Sequence, residues 1–129
     1  MRSVFLCGVA AIVVVGAIFA SALGAGVGES KSFRGPTGLQ LYSLRDMMKK
    51  QGPLAVLDKA KEWGFKYVEV SDTGGLTPAA FRAELDKRGL VPIGKHFPYE
   101  RLRDDIQGVI AEAKGLGLPF VGCAWIGHK

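Results

Sequence analysis

Three times the chain repeats one local pattern, in which an amphipathic helical stretch stops at a glycine and continues directly into a short apolar strand. The glycine and strand of these units lie at residues 64–69, 89–96 and 117–123. This order is typical of successive βα units, because parallel strands need a crossover connection that is usually a helix. The pattern therefore predicts an α/β fold with a parallel sheet. In such folds, functional residues gather at the carboxyl ends of the strands.

An apolar leader precedes the repeated units. The chain begins with Met1-Arg2 and carries no further charge until Glu29, and most residues between them are Val, Ile, Ala, Leu, Phe or Gly. A positive start, an apolar middle and the small residues Ala20-Ser21-Ala22 predict a secretory signal peptide that is cut after Ala22, with Gly24 and Ala25 as alternative cleavage positions. The alternative is an uncleaved membrane anchor, since the run reaches the ~20 apolar residues that a membrane span needs.

The leader also sets the predicted organisation and location. We expect a signal peptide or anchor at 1–25, a linker rich in Gly, Ser and charge at 26–36, and a folded part at 37–129. The protein is then exported, periplasmic or extracellular, and contacts a membrane only through the leader if that segment stays uncleaved. Cys123 is the only cysteine after the leader, which excludes an internal disulfide.

Charge and short motifs exclude several classes of function. The formal net charge of +5 comes from Lys and Arg residues that are spread along the chain beside acids, as at 101–105. This mixture is typical of a solvated surface, and we expect no nucleic-acid partner. The chain contains no dinucleotide-binding glycine motif, phosphate loop, nucleophile elbow or Cys-x-x-Cys.

Four strands and three helices are predicted from residue 37 onward. The strands lie at 38–43, 66–71, 91–96 and 120–125, and the helices follow Pro53, Thr77-Pro78 and Glu100. In the first three strands, alternation predicts one aliphatic face beneath the helices and one polar face.

The alternation along strand three and the helical spacing before Gly64 predict which side chains lie on each face. In strand three, Val91 and Ile93 are predicted beneath the helices and Gly94 and His96 on the polar face, whereas strand four stays ambiguous. Trp63 is predicted to belong to the buried stripe of the first helix.

Two titratable residues end adjacent strands, Glu69 and His96. Neighbouring strands lie ~4.8 Å apart, so both side chains are expected at one rim, as an acid/base pair, as part of a metal shell or as hydrogen-bonding groups for a polyol. The alternative is that Glu69 pairs with a Lys or Arg and that His96 caps its strand. Tyr42 and Trp125 are candidates for an apolar wall against a sugar ring, with a place in the core as the alternative.

Four short strings along the chain together resemble one known family. They are GLQLYSLRD at 38–46, YVE at 67–69, KH at 95–96 and CAWI at 123–126. In this order and spacing they are similar to the sugar phosphate isomerase/epimerase family, the xylose-isomerase-like TIM barrels. The similarity extends from about Thr37 to the last residue.

The resemblance implies a partial eight-stranded (β/α)8 barrel of which this chain holds the first four strands and three helices. It implies a divalent metal cofactor, a small sugar or sugar phosphate as substrate, and proton transfer next to a carbonyl. Tyr42, Glu69, His96 and Trp125 fall at substrate-binding positions. The metal ligands of the family come mainly from later strands, so none is expected in this chain, which we expect to be a fragment that is inactive alone.

Two other functions stay open. One is a non-catalytic carbohydrate-binding half-barrel that keeps the pocket without the chemistry. The other is a nuclease of the apurinic endonuclease type, in which His96 is a metal ligand. The leader and the scattered basic residues count against the nuclease.

Overall fold

The computed structural model describes residues 32–33 and 35–127. The predicted leader at 1–25 and most of the predicted linker lie outside these residues. None of the helices in the described part has the length and apolar character that crossing a membrane requires.

The described chain is an α/β fold with one four-stranded sheet. All strand pairs are parallel, and the spatial order follows the chain. The strands are β1 (Gly38–Gln40), β2 (Tyr67–Val70), β3 (Val91–His96) and β4 (Val121–Gly122). The predicted parallel sheet is therefore confirmed, although β1, β2 and β4 are shorter than the sequence pattern indicated.

Five α-helices occur in the described residues, where three were predicted. They are α1 (Arg45–Gln51), α2 (Pro53–Glu62), α3 (Pro78–Arg88), α4 (Tyr99–Asp104) and α5 (Ile106–Leu116), and a 3-10 helix, Leu41–Leu44, precedes α1.

The two additional helices have separate origins. The segment between β1 and Pro53, for which no helix was predicted, forms α1, and the predicted third helix breaks at Asp105. There φ is −136°, and the Asp105 carboxylate caps α5 by accepting a hydrogen bond of 3.1 Å from the backbone N–H of Gly108.

The predicted start of α3 and the glycines that follow the helices are confirmed. Thr77 accepts a hydrogen bond of 3.2 Å from the Ala80 N–H, and Pro78 occupies the first turn of α3. Gly89 and Gly117 end α3 and α5 with φ of 69° and 67°, a left-handed conformation that side-chain-bearing residues rarely adopt. These glycines turn the chain directly back into the sheet.

The helices cover one face of the sheet and form the core there. The buried cluster takes its residues from the strands, the 3-10 helix and the helices: Leu41, Met48, Val56, Leu57, Ala60, Val68, Val70, Phe81, Leu85, Leu90 and Leu116. Trp63 was predicted within this core and is instead 45% exposed, because it lies at the C-cap of α2 where the helical stripe has already ended.

The predicted face assignment of Val91 and Ile93 is wrong. Both are 38% exposed, whereas Pro92 between them is fully buried on the helix side. The pairing with β2 explains this result, since Val68 lies opposite Pro92 but the next residue, Glu69, lies opposite Gly94. Ile93 is therefore an extra, bulged residue, and a bulge interrupts strict alternation. Beyond it, the polar-face positions of Gly94 and His96 agree with the prediction.

Candidate functional site

Three polar side chains form a row of short contacts at the carboxyl ends of β1, β2 and β3. The amide of Gln40 donates to both carboxylate oxygens of Glu69, at 3.2 Å to Oε1 and 3.3 Å to Oε2. His96 Nδ1 lies 2.9 Å from Glu69 Oε1. Each partner comes from a different strand. Gln40 lies directly opposite Glu69 in register, whereas His96 lies two residues beyond Gly94, the register partner of Glu69. We call Gln40, Glu69 and His96 the polar row.

The polar row orients the imidazole of His96. A carboxylate only accepts hydrogen bonds, so Nδ1 faces Glu69 as the donor nitrogen. In a neutral imidazole oriented in this way, Nε2 is the nitrogen that can accept a proton. Glu69 thus orients His96 in the way that a carboxylate orients a histidine base. The alternative that Glu69 pairs with a nearby Lys or Arg is not what the structure shows.

Gly122 allows the imidazole of His96 to lie against β4. A Cβ atom at residue 122 would stand 2.9 Å from His96 Cδ2 and 3.3 Å from Nε2. The first distance is shorter than real Cβ contacts allow, so only glycine leaves the ring in place. This contact also resolves the ambiguity of strand four at one residue, because Gly122 lies opposite His96 and therefore shares its face of the sheet.

A cleft of about 780 Å³ opens beside the polar row. All four residues predicted to bind substrate line it: Tyr42, Glu69, His96 and Trp125. Tyr42 is 57% exposed and Trp125 is 73% exposed, so neither aromatic belongs to the core. The volume falls within the range of small-molecule sites in proteins.

Short contacts hold the two aromatic residues. The guanidinium of Arg45 lies 5.0 Å from the centre of the Tyr42 ring, a distance suited to a cation–π interaction, and Arg45 Nη1 donates to the Tyr42 carbonyl at 3.3 Å. The Cys123 thiol donates to the Trp125 carbonyl at 3.1 Å. Arg45 therefore covers one face of the Tyr42 ring, whereas the thiol contact involves only the backbone of Trp125 and leaves its ring, which is 73% exposed, able to meet a ligand.

Sequence reasoning missed several residues of this cleft. Gln40 was not predicted in the site, although the alternation that found Glu69 also points to it. Tyr99 and Glu100 line the cleft from the start of α4. No local signal reveals them, because their place depends on how α4 lies against β3.

An ion network behind the sheet fixes that position of α4. Glu112 of α5 accepts from Lys95 at 2.8 Å and from Arg101 of α4 at 2.7 Å. Burial alone would raise the pKa of Glu112, but the two hydrogen bonds outweigh it and hold this pKa below its ordinary value. Lys95 and Arg101 also lie 5.3 and 5.4 Å from the Phe97 ring centre. Since α4 has no buried residue, these contacts attach the cleft wall to the sheet.

The donor set of the described residues does not fit a metal site. Zinc in a protein is normally held by three or four side-chain ligands, and Ca²⁺ by six to eight oxygen atoms. Among residues 32–33 and 35–127, no three His, Cys, Asp or Glu side chains are grouped closely enough. The polar row offers one carboxylate and one imidazole, and these already bind each other.

The fold and cleft together define a class of architecture, a parallel α/β sheet with a polar, aromatic-walled cleft at its strand ends. No protein-family model matches this chain, and no curated protein matches it. The case for a function therefore rests on the side chains of the cleft.

Proposed function

We propose that the cleft binds a sugar, and that the chain supplies the substrate-binding rim of an exported sugar isomerase or epimerase of the xylose-isomerase-like kind. The observation that carries this proposal is the polar row of Gln40, Glu69 and His96. It presents amide, carboxylate and imidazole groups side by side at one edge of the cleft. Adjacent hydroxyl groups of a polyol need such alternating donors and acceptors.

The aromatic residues support the same ligand. A sugar ring has polar edges and a less polar face of C–H groups, and Tyr42 and Trp125 offer exposed rings on which that face can pack. The polar row would then bind the hydroxyl edge. A wholly apolar ligand would cover the three groups of the polar row and remove them from water without offering them hydrogen bonds, which is energetically costly.

The polar row can also move a proton. His96 Nε2 is the acceptor of the pair, and Glu69 stabilises the imidazolium that forms when it takes a proton. Isomerisation and epimerisation both need a base beside the carbon next to a carbonyl. In the proposal, His96 accepts that proton while Gln40 and Glu69 keep the base oriented.

The resemblance implies a divalent metal, but the proposed roles of Glu69 and His96 do not involve it. The described residues do not fit it, so it would be held by residues outside them. No step assigned here to Glu69 or His96 passes through a metal.

A second candidate is a carbohydrate-binding protein without catalysis. It is favoured by the exposure of Tyr42 and Trp125, since aromatic walls and hydrogen-bonding groups suffice for binding. The two candidates share the ligand and differ in proton transfer.

Binding of D-xylulose to the full chain tests the proposal. We expect chemical shifts of the His96 imidazole to change on titration. We expect Glu69→Gln to weaken binding roughly 10- to 150-fold, because one charge-assisted hydrogen bond is worth about 1.5–3 kcal/mol. Glu62→Gln is the matched control, because Glu62 is an exposed carboxylate on α2 whose partner is Lys59.

The outcomes separate the candidates. Equal affinity in Glu69→Gln and the unchanged protein would show that the polar row does not bind sugar. Exchange of the proton next to the carbonyl with deuterated solvent, lost in His96→Ala, would favour the isomerase over the binding protein.

A further inference from the structure

The charge of the cleft bears on which sugars it can accept. Two carboxylates, Glu69 and Glu100, line it together with His96, and the other described lining residues are uncharged. A phosphate monoester carries nearly two negative charges at neutral pH and is normally held by Arg, Lys or helix N-termini. The two carboxylates would repel such a group.

Three cations near the cleft are paired with carboxylates outside its lining. They are Lys95 with Glu112 at 2.8 Å, Arg101 with Glu112 at 2.7 Å, and Arg103 with Asp104 at 2.5 Å. Arg45 instead lies over the lining residue Tyr42, 5.0 Å from the centre of its ring. Lys95 in particular points to the helix side of β3, opposite to His96. Recruiting it for a phosphate would break the contact that holds Glu112.

The start of α4 is the other feature that could attract an anion. Its first turn lies at the cleft, but Glu100 is within that turn. A carboxylate there already interacts favourably with the helix dipole, and its negative charge opposes a second anion.

We propose that the cleft takes an uncharged sugar in preference to its phosphate ester, with Glu100 as a specificity-determining residue. This inference rests on the proposed function, because it concerns the ligand of the same site. It narrows the substrate class to neutral aldoses, ketoses or related polyols. Exclusion of the phosphate is electrostatic, so it weakens when salt screens the charges.

Calorimetric titration of the full chain with D-xylulose and with its phosphate monoester tests this preference. We expect the free sugar to bind on the order of 10-fold more tightly at about 0.01 M ionic strength, where the screening length is about 30 Å. At about 1 M, where that length is about 3 Å, the ratio should fall toward one.

The variant Glu100→Gln measures how much the Glu100 carboxylate contributes to the repulsion of the phosphate ester. Glutamine has nearly the same size as glutamate and is also a good helix former, so α4 should be preserved. Circular dichroism verifies that the variant folds. We expect roughly 3-fold tighter binding of the phosphate ester at low salt with the affinity for D-xylulose unchanged. Glu62→Gln, which removes an equal charge from α2 away from the cleft, should leave both affinities unchanged.

The possible results separate an error in the predicted preference for the free sugar from an error in the proposed binding of sugar by the cleft. If the phosphate ester binds as tightly as the free sugar at low salt, and Glu69→Gln weakens both, the preference is wrong and the sugar site stands. If Glu100→Gln leaves the ratio of the affinities for D-xylulose and its phosphate ester unchanged, Glu100 does not determine the preference. If neither compound binds, the proposed function itself fails, and the preference fails with it.

Discussion

The two faces of the sheet are built from alternate residues of the same strands, yet they have opposite properties. On the helix side, Val68 and Val70 are almost fully buried, and Phe81 and Leu85 of α3 pack into the same core. On the open side, Glu69 lies between these two valines in sequence and takes part in the polar row. One strand of four residues thus stabilises the fold with one face and presents chemistry with the other.

The difference between the two faces predicts which substitutions should change the stability of the fold and which should change ligand binding. Apolar burial contributes about 25 cal/mol per Å² removed from water, so the helix side carries most of the stability. The open side holds side chains whose hydrogen bonds are partly exchanged with water and contribute little net free energy. Stability and ligand binding should therefore respond to different residues.

The largest expected effect is on the helix side. Phe81 is fully buried, and Phe81→Ala should lower the free energy of unfolding by about 3–5 kcal/mol through lost burial and a cavity. Phe120→Ala is the matched control, since Phe120 is 73% exposed, and its effect should stay within about 1 kcal/mol. Denaturant unfolding of the full chain measures both. Equal losses in the two variants would contradict the contrast between the faces.

An intermediate effect is expected at Glu112, where the helix side supports the cleft. Glu112→Gln should cost about 1–3 kcal/mol at neutral pH, because it weakens charge-assisted hydrogen bonds with Lys95 and Arg101. Glu62→Gln, whose carboxylate is 64% exposed, should cost less than about 1 kcal/mol.

The pH dependence of this effect has a defined sign. Folding lowers the pKa of Glu112 from its ordinary value of 4.5, so the stabilisation is complete above that pH. It is lost as the pH falls through the lowered value in the folded protein. The unfolding free energies of Glu112→Gln and the unchanged protein should therefore converge in acid. A constant difference down to low pH would show that Glu112 acts by packing alone.

A substitution at Gly122 is expected to have the smallest effect on stability but to change the geometry of the cleft strongly. In Gly122→Ala the new methyl group would collide with the imidazole, so the contact between His96 and Glu69 should break. Since His96 is exposed and can move, the unfolding free energy should change by about 1 kcal/mol or less. Imidazole NMR signals report the displacement of His96.

Gly94→Ala is the control for this variant. A Cβ atom at residue 94 would meet only the Phe120 carbonyl oxygen, at 3.6 Å, which is an ordinary contact. Unchanged His96 signals in Gly122→Ala would mean that the imidazole does not depend on the close approach of β4.

Much of the fold was predictable because its signals are local. The capping hydroxyl of Thr77 and the glycines after the helices act within a few residues of themselves, and both predictions were confirmed. Alternation also placed Glu69 and His96 on one face of the sheet. These features follow from backbone geometry, which each short segment carries in its own sequence.

The failed predictions have two separate causes, one in the pairing of strands and one in a local cap that the apolar pattern hides. The bulge at Ile93 depends on the register between β2 and β3, and the break at Asp105 depends on a side chain that caps α5 in place of continuing α4. The helical pattern of apolar residues runs through that break unchanged. Periodicity therefore predicted a single helix where the backbone forms two.

The sequence by itself determined that the chain forms parallel βα units and that Glu69 and His96 end neighbouring strands, because turn chemistry and alternation are local properties. Only the tertiary structure decided that Gln40 joins them, that Gly122 makes room for the imidazole, and that Glu100 faces the same cleft. Those contacts join residues far apart in the chain. Their geometry depends on strand register and on how α4 docks, and packing across the whole sheet fixes both.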